Sequence, residues 1–213
     1  MRLVPNKYSM TAALMLLAGG SYAAPPAELP AAMLDWQVYE QRPVGQVCQG
    51  FYLSPELELP EQNTNLAAAR LFAESRQLNY SPDGGLLLQD DVRLRKGGIY
   101  VTADQAQVNA DRTRADLFGN LVVRQNNLLM RGTEGEYLLE TKQLELSEAH
   151  YVIHQQRLRG SAWQLQQLPD GRVTLRDASL TTCAPGDQAW RLVAGRLNLN
   201  RESGFGDAYN VRM

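Results

Sequence analysis

The chain has 213 residues, of which 44% are hydrophobic and 21% charged, and its formal net charge is −2 at pH 7. This length suits a single β-domain with a short additional segment. Proteins that grip nucleic acid over a wide face need a positive surface, so the acidic balance excludes nucleic acid as a partner.

Residues 1–23 have the pattern of a signal peptide. A basic start with Arg2 and Lys7 precedes an apolar run over residues 10–20, and Ser21-Tyr22-Ala23 is a small-x-small cleavage site. The alternative is a membrane anchor, but the run is short and ends in two glycines. We therefore expect cleavage near Ala23/Ala24 and export of a mature chain with net charge −4.

Residues 24–65 are predicted to form a leader segment that lies outside the repeats described below. The Pro- and Ala-rich stretch 24–31 predicts a flexible lead-in. Residues 34–55 carry Trp and Tyr anchors and few turn signals, which favours a plug or strap. Residues 56–65, rich in Glu, Pro, Asn and Gln, are typical of a linker.

Similar segments recur along the rest of the chain. Each has a small residue five positions before an apolar one, with starts 30, 29 and 28 residues apart: Ala73–Leu78, Ala103–Val108, Gly132–Tyr137 and Gly160–Leu165. A second matching element follows each about a dozen residues later. A fixed period in this range predicts stacked units that bury their apolar faces against one another.

Alternating apolar and polar residues predict one-sided strands joined by hairpin turns over residues 66–200. Leu66–Gln77 alone has a helix-like composition, but its match to the later repeats favours a strand in its second half. Strands with one apolar face and no helices to cover it must pack their apolar faces against one another. The predicted fold class is therefore all-β, a jelly roll built from repeated hairpins.

The alternation also predicts which apolar side chains point inward. Packed core and a lipid-holding groove are both open interpretations of this set, which comprises Val92, Leu94, Ile99, Val101, Leu121, Val123, Leu128, Met130, Tyr151 and Ile153.

No catalytic or cofactor site stands out in the sequence. His150 and His154 lie four residues apart and share a strand face, and we interpret them as surface histidines rather than a metal pair. Asp90-Asp91 is interpreted as a turn or strand entry rather than half of a glycosidase pair. We expect a protein without cofactors that is not an enzyme.

Two cysteines remain in the mature chain, in a compartment that favours disulfides, and a Cys48–Cys183 bridge is open on composition alone. The segments around them are distinctive. Cys48-Gln49-Gly50-Phe51-Tyr52-Leu53-Ser54-Pro55 and Thr181-Thr182-Cys183-Ala184-Pro185-Gly186-Asp187-Gln188-Ala189-Trp190 resemble the two Cys motifs of the LptD family of lipopolysaccharide (LPS) assembly proteins. The repeats between them resemble the domain shared by LptD and the LptA bridge proteins.

The resemblance implies a V-shaped, twisted β-jelly roll, open at its edges, on the periplasmic side of the outer membrane. Its groove would conduct LPS acyl chains to a C-terminal barrel, with residues 201–213 starting the connection. An LptA-type bridge would dock at an edge around Leu71, Phe72, Ser75 and Leu78, and an LptE-type lipoprotein would bind through the barrel. Cys48 and Cys183 would each pair with a barrel cysteine.

Two alternatives to this function remain open. One is a free-standing LptA-like bridge protein, against which the two Cys motifs argue. The other is a secreted all-β carbohydrate-binding module or glycosidase, which would display aromatic platforms or paired carboxylates on an exposed face.

Overall fold

The computed structural model describes residues 23–45, 49–55, 71–125, 127–187, 189–200 and 206–213. The predicted signal peptide, the predicted linker and Cys48 lie outside these residues, except for Ala23. Within the described ranges the regular structure is β-strand apart from one short 3-10 helix, Ala31–Leu34. The predicted all-β class is confirmed.

The thirteen strands divide into a small sheet and a large one. Two short strands of the leader segment form the small sheet, β1 (Trp36–Val38) and β2 (Gly50–Tyr52). The other eleven form one antiparallel sheet: β3 (Phe72–Glu74), β4 (Gln77–Tyr80), β5 (Leu86–Lys96), β6 (Ile99–Val108), β7 (Arg114–Gln125), β8 (Leu128–Leu138), β9 (Gln143–Ile153), β10 (Leu158–Gln167), β11 (Arg172–Leu180), β12 (Leu192–Asn200) and β13 (Gly206–Arg212).

From β4 to β13 the large sheet is a meander in which each strand pairs with the next along the chain, and β3 pairs with β5. Its hairpins β5–β6, β7–β8, β9–β10 and β11–β12 begin 28 or 29 residues apart, which is the period predicted from the sequence. At one end, β3 and β4 pair with successive halves of β5 and form the edge. At the other end, β13 is the edge strand and is exposed throughout.

Every long odd-numbered strand from β5 to β11 contains a left-handed residue near its middle. The φ values are +60° and +56° at Asp90 and Asp91, +40° at Asn120, +48° at Glu148 and +45° at Asp177. The first two sites coincide with register shifts against the neighbouring strand. Bulges of this kind bend strands and increase their twist.

The interpretation of Asp90-Asp91 as a turn or strand entry is wrong, because both residues lie inside β5. The break between β3 and β4 is opposite this bulge, where the Arg76 amide donates to the Asp90 carbonyl at 2.9 Å. The two aspartates therefore mark the bend of the first long strand.

The aligned bends fold the sheet over its own apolar face. One core cluster includes residues from both halves of the strands, such as Leu88 and Val92 of β5 or Leu146 and Tyr151 of β9. We call the strand segments on the two sides of the bends the two arms of the sheet. The face opposite the core cluster is called the outer face.

The leader segment packs on this outer face. A second apolar cluster joins Leu34 and Tyr52 of the leader to Leu129 of β8 and Val152 of β9, and all four are at most 9% exposed. The strap predicted for residues 34–55 therefore lies on the back of the sheet, outside the repeats.

Candidate functional site

A cavity of about 840 Å³ lies between the two arms of the bent sheet. Both arms contribute apolar side chains. Each long strand continues through its bend, and its alternating pattern points apolar side chains inward on both sides of the bend. The first arm supplies Leu86, Leu88, Val108 and Leu117, and the second supplies Leu94, Ile99, Val101, Val123 and Met130. The result is an apolar groove, which we call the central groove.

The ten residues predicted to point inward all belong to the core cluster or pack against it. Five of them line the central groove: Leu94, Ile99, Val101, Val123 and Met130. The other five, Val92, Leu121, Leu128, Tyr151 and Ile153, lie in the packed apolar interior and are not among the lining residues. The interior thus contains an apolar groove, lined by one part of the predicted set, and a packed core that holds the other part.

Several lining residues were missed because they lie beyond the bends. Val108, Tyr137 and Leu144 line the groove, although none belongs to the predicted set. Inward positions change parity along β6 from Ala103 to Ala106. The alternation of apolar and polar residues beyond each shift is the sequence signal that could have identified these lining residues.

The environment inside the groove disfavours charge. Burial raises the pKa of the Tyr137 hydroxyl above its usual value. Charged groups of the lining lie at its margins. At the edge Glu74 of β3 forms an ion pair with Arg95 of β5, and Arg112, Lys142 and Asp170 lie in hairpin turns. The interior can hold apolar chains but offers an ionic group little compensation for lost hydration.

The predicted docking edge lies at the mouth of the same groove. Leu71, Ser75 and Leu78 are lining residues, and Phe72 lies in β3 with 40% of its surface exposed. The structure therefore brings the edge residues and the five groove residues into one region.

The leader segment joins the outer face through a group of charged side chains. Asp35 accepts a hydrogen bond from Arg124 of β7 at 2.8 Å, and its carboxylate lies 3.0 Å from the His154 ring. Burial acts to raise the pKa of Asp35, but the hydrogen bonds from Arg124 and His154 outweigh it and lower the pKa to about 2.

The interpretation of the two histidines as surface residues is wrong. His150 is 8% exposed and the His154 side chain 7% exposed. They share the outer face as predicted, but the leader segment packs on this face. Burial, with the positive charges of Arg131 and Arg191, lowers the pKa of His150 to about 4, although Glu28 acts in the opposite direction.

The start of the leader segment is bound rather than flexible. Alternate outward side chains of β10 hold alternate leader residues. The Trp163 indole donates to the Ala24 carbonyl, the Ser161 hydroxyl donates to the Pro26 carbonyl at 3.0 Å, and Arg159 pairs with Glu28 at 2.6 Å. The prediction of a flexible lead-in at 24–31 was wrong, because composition gave no sign of these partners.

Cys183 lies in the loop that follows β11. It is 9% exposed, and its thiol donates weakly to the Trp190 carbonyl at 3.6 Å. It is a free cysteine in this structure. Because Cys48 lies outside the described residues, the pairing of either cysteine stays a prediction.

Within the described ranges, no three His, Cys, Asp or Glu side chains form a group that could hold a metal ion. No helix there is long and apolar enough to cross a membrane.

Comparison with known proteins gives several matches. The family described as LptA/(LptD N-terminal domain) LPS transport protein matches residues 72–205. Proteins named LPS-assembly protein LptD are 41% identical over 95% of this chain in Chromohalobacter salexigens, 32% over 84% in Pseudomonas fluorescens and 30% over 97% in Hahella chejuensis. The chain spans 24%, 20% and 27% of these three relatives.

Among solved structures, LptH from Pseudomonas aeruginosa, titled the LptA homologous periplasmic component of a lipopolysaccharide transport device, is 10% identical with a TM-score of 0.28. This match covers 65% of the chain and 81% of LptH. The matched family range includes β3 to β12, which form the groove and the packed core. The chain belongs to the LptA/LptD N-terminal domain family of LPS transport proteins.

Proposed function

We propose that this chain is a periplasmic domain that receives LPS and conducts its acyl chains through the central groove. The observation that carries the proposal is the apolar cavity of about 840 Å³ between the arms of the sheet, in a member of an LPS transport family. Removing acyl surface from water stabilises a bound chain by roughly 25 cal/mol per Å². Similar apolar lining at successive positions allows a chain to move without a covalent step.

The edge formed by β3 and β4 is the proposed entry point. It is the end of the sheet at which lining residues reach an unpaired strand, and an LptA-type bridge protein could add a strand there. Strand addition would continue the groove from one protein to the next. LPS would then pass from the bridge across β5 to β9.

Delivery to the cell surface requires more than this domain. We propose that it lies on the periplasmic side of the outer membrane and is joined to a barrel, through which an LptE-type lipoprotein is also a partner. The greater length of the relatives named LptD supports this proposal. In it, Cys48 and Cys183 each bond to a cysteine of the barrel portion.

Site-specific photo-crosslinking in the complete protein, in cells, tests the groove. Val101 and Met130 line the cavity, whereas Arg93 and Arg172 are exposed. Arg93 is a matched control, because it lies in β5 beside Leu94, which is paired with Val101. We expect LPS adducts at the first two positions and few at the arginines, and equal labelling at both sets would refute the interior route.

Proline substitution tests the docking edge. Phe72→Pro or Ser75→Pro should weaken capture of an LptA-type protein while the fold persists, because an edge position tolerates the loss of a donor. Tyr209→Pro in β13, the opposite edge, is the matched control. Unchanged capture by both edge variants would place docking elsewhere.

A further inference from the structure

The loop that carries Cys183 is attached to a buried arginine. The Arg159 side chain donates from Nε to the Cys183 carbonyl at 2.9 Å and from Nη2 to the Ala184 carbonyl at 2.8 Å. A longer contact of 3.4 Å reaches the Asp187 carbonyl. One guanidinium therefore satisfies carbonyl groups over most of the short segment Cys183–Asp187.

The leader segment provides the counter-charge for this arginine. Glu28 lies 2.6 Å from Arg159 Nη1, and its side chain is 23% exposed while that of Arg159 is 6% exposed. The same Glu28 oxygen accepts a hydrogen bond from the Gly186 amide at 3.0 Å. Glu28 thus contacts the cysteine loop directly and also through Arg159.

The backbone of Arg159 is also held in place by hydrogen bonds. Its backbone amide and carbonyl exchange hydrogen bonds of 2.9 Å with Thr181, two residues before Cys183. The Thr181 hydroxyl accepts from the Cys183 amide at 3.0 Å and donates to the Trp190 carbonyl at 2.7 Å. The thiol of Cys183 is therefore held close to the Trp190 carbonyl and is largely sheltered from solvent.

We propose that Glu28 and Arg159 form a latch through which the leader segment controls access to the Cys183 thiol. With the latch closed, the loop lies against β10 and the thiol is sheltered. When the leader segment leaves the outer face, Arg159 loses its counter-charge and the loop loses the Glu28 contact to Gly186. A buried guanidinium without a counter-charge is costly, so the loop and Arg159 then rearrange together.

The latch does not depend on lipid transport. The latch couples two parts of this chain, at Glu28 and Gly186, that are more than 150 residues apart in sequence. Its consequence for the proposed function is that Cys183 becomes available to another thiol only after the leader segment has moved.

Thiol alkylation of the 213-residue chain tests the latch. In a Cys48→Ser background, Cys183 is the single cysteine of these residues, and its reaction with iodoacetamide can be followed by mass spectrometry. Glu28→Lys places a positive charge beside Arg159. We expect the alkylation rate to rise by at least about tenfold, the factor that corresponds to about 1.4 kcal/mol.

Three further variants make the test specific. Glu28→Gln keeps an oxygen for the Gly186 amide and should give a smaller increase than Glu28→Lys. Trp163→Phe removes the donor to the Ala24 carbonyl while keeping an aromatic ring, and should raise the rate by loosening the leader segment. Arg172→Gln breaks an exposed ion pair with Asp170 and should leave the rate unchanged.

Urea unfolding of each variant shows whether the sheet remains folded. An unchanged alkylation rate in folded Glu28→Lys protein would overturn the latch. An equal increase in Arg172→Gln would do the same, because it would show that any lost ion pair exposes the thiol. Neither result would bear on photo-crosslinking of LPS in the groove.

Discussion

Protonation of His150 should reduce the stability of the folded chain in mildly acidic solution. His150 lies in β9, 8% exposed, on the face where the leader segment packs. Burial is the largest cause that lowers its pKa from 6.5 to about 4, followed by the charges of Arg131 and Arg191 against that of Glu28. Between these two values the unfolded chain binds a proton that the folded chain does not, so stability falls as the pH falls through this window.

The size of the effect follows from the two pKa values. A pH of 5 lies about 1.5 units below the pKa of a histidine in the unfolded chain. Each unit corresponds to about 1.4 kcal/mol, so the full loss in the free energy of unfolding relative to pH 7.5 is about 2 kcal/mol. Screening by solvent at the margin of the leader segment reduces this to between about 1 and 2 kcal/mol. Asp35 does not contribute at this pH, because its stabilisation is lost only between pH 3.8 and about 2.

Urea unfolding followed by circular dichroism, at about pH 7.5 and about pH 5, measures the loss. The comparison is with His150→Gln, which cannot titrate in this range. The difference between the two pH values should be smaller in the variant by about 1 to 2 kcal/mol. Identical pH dependence in both proteins would refute the conclusion that burial keeps His150 neutral.

Four further substitutions test the packing and the groove. Gly160→Ala should destabilise the sheet strongly, because a Cβ there would overlap the Ser179 carbonyl oxygen, and thermal unfolding will show it. Leu175→Ala, at a fully buried site, should lower the free energy of unfolding by about 2 to 5 kcal/mol, whereas Val211→Ala on the exposed last strand should change it by less than about 0.5 kcal/mol. Val123→Asp should abolish LPS crosslinking at Met130, because an unpaired carboxylate in the groove is costly, and undiminished crosslinking would contradict the route.

Sequence patterns alone were sufficient to predict the repeated part of the molecule. Local signals, namely period-two alternation, turn residues between the strands and repeated segments 28 to 30 positions apart, are sufficient to define hairpins, and the strands from β5 to β12 follow them. They also identified the inward residues as a set, since a strand with one apolar face has only one way to bury it. A strand in the second half of Leu66–Gln77, where β3 lies, was predicted from the same repeat against a helix-like composition.

Which inward residues line the groove, and where the leader segment lies, depends on contacts between distant parts of the chain. Met130 and Tyr151 have the same pattern in sequence, but the bent sheet leaves space beside Met130 and packs Tyr151, whose hydroxyl donates to the Ser179 carbonyl. The burial of His154 and the pairing of Glu28 with Arg159 join residues more than a hundred positions apart. No local pattern encodes such contacts, because they depend on how the folded sheet presents its outer face to the leader segment.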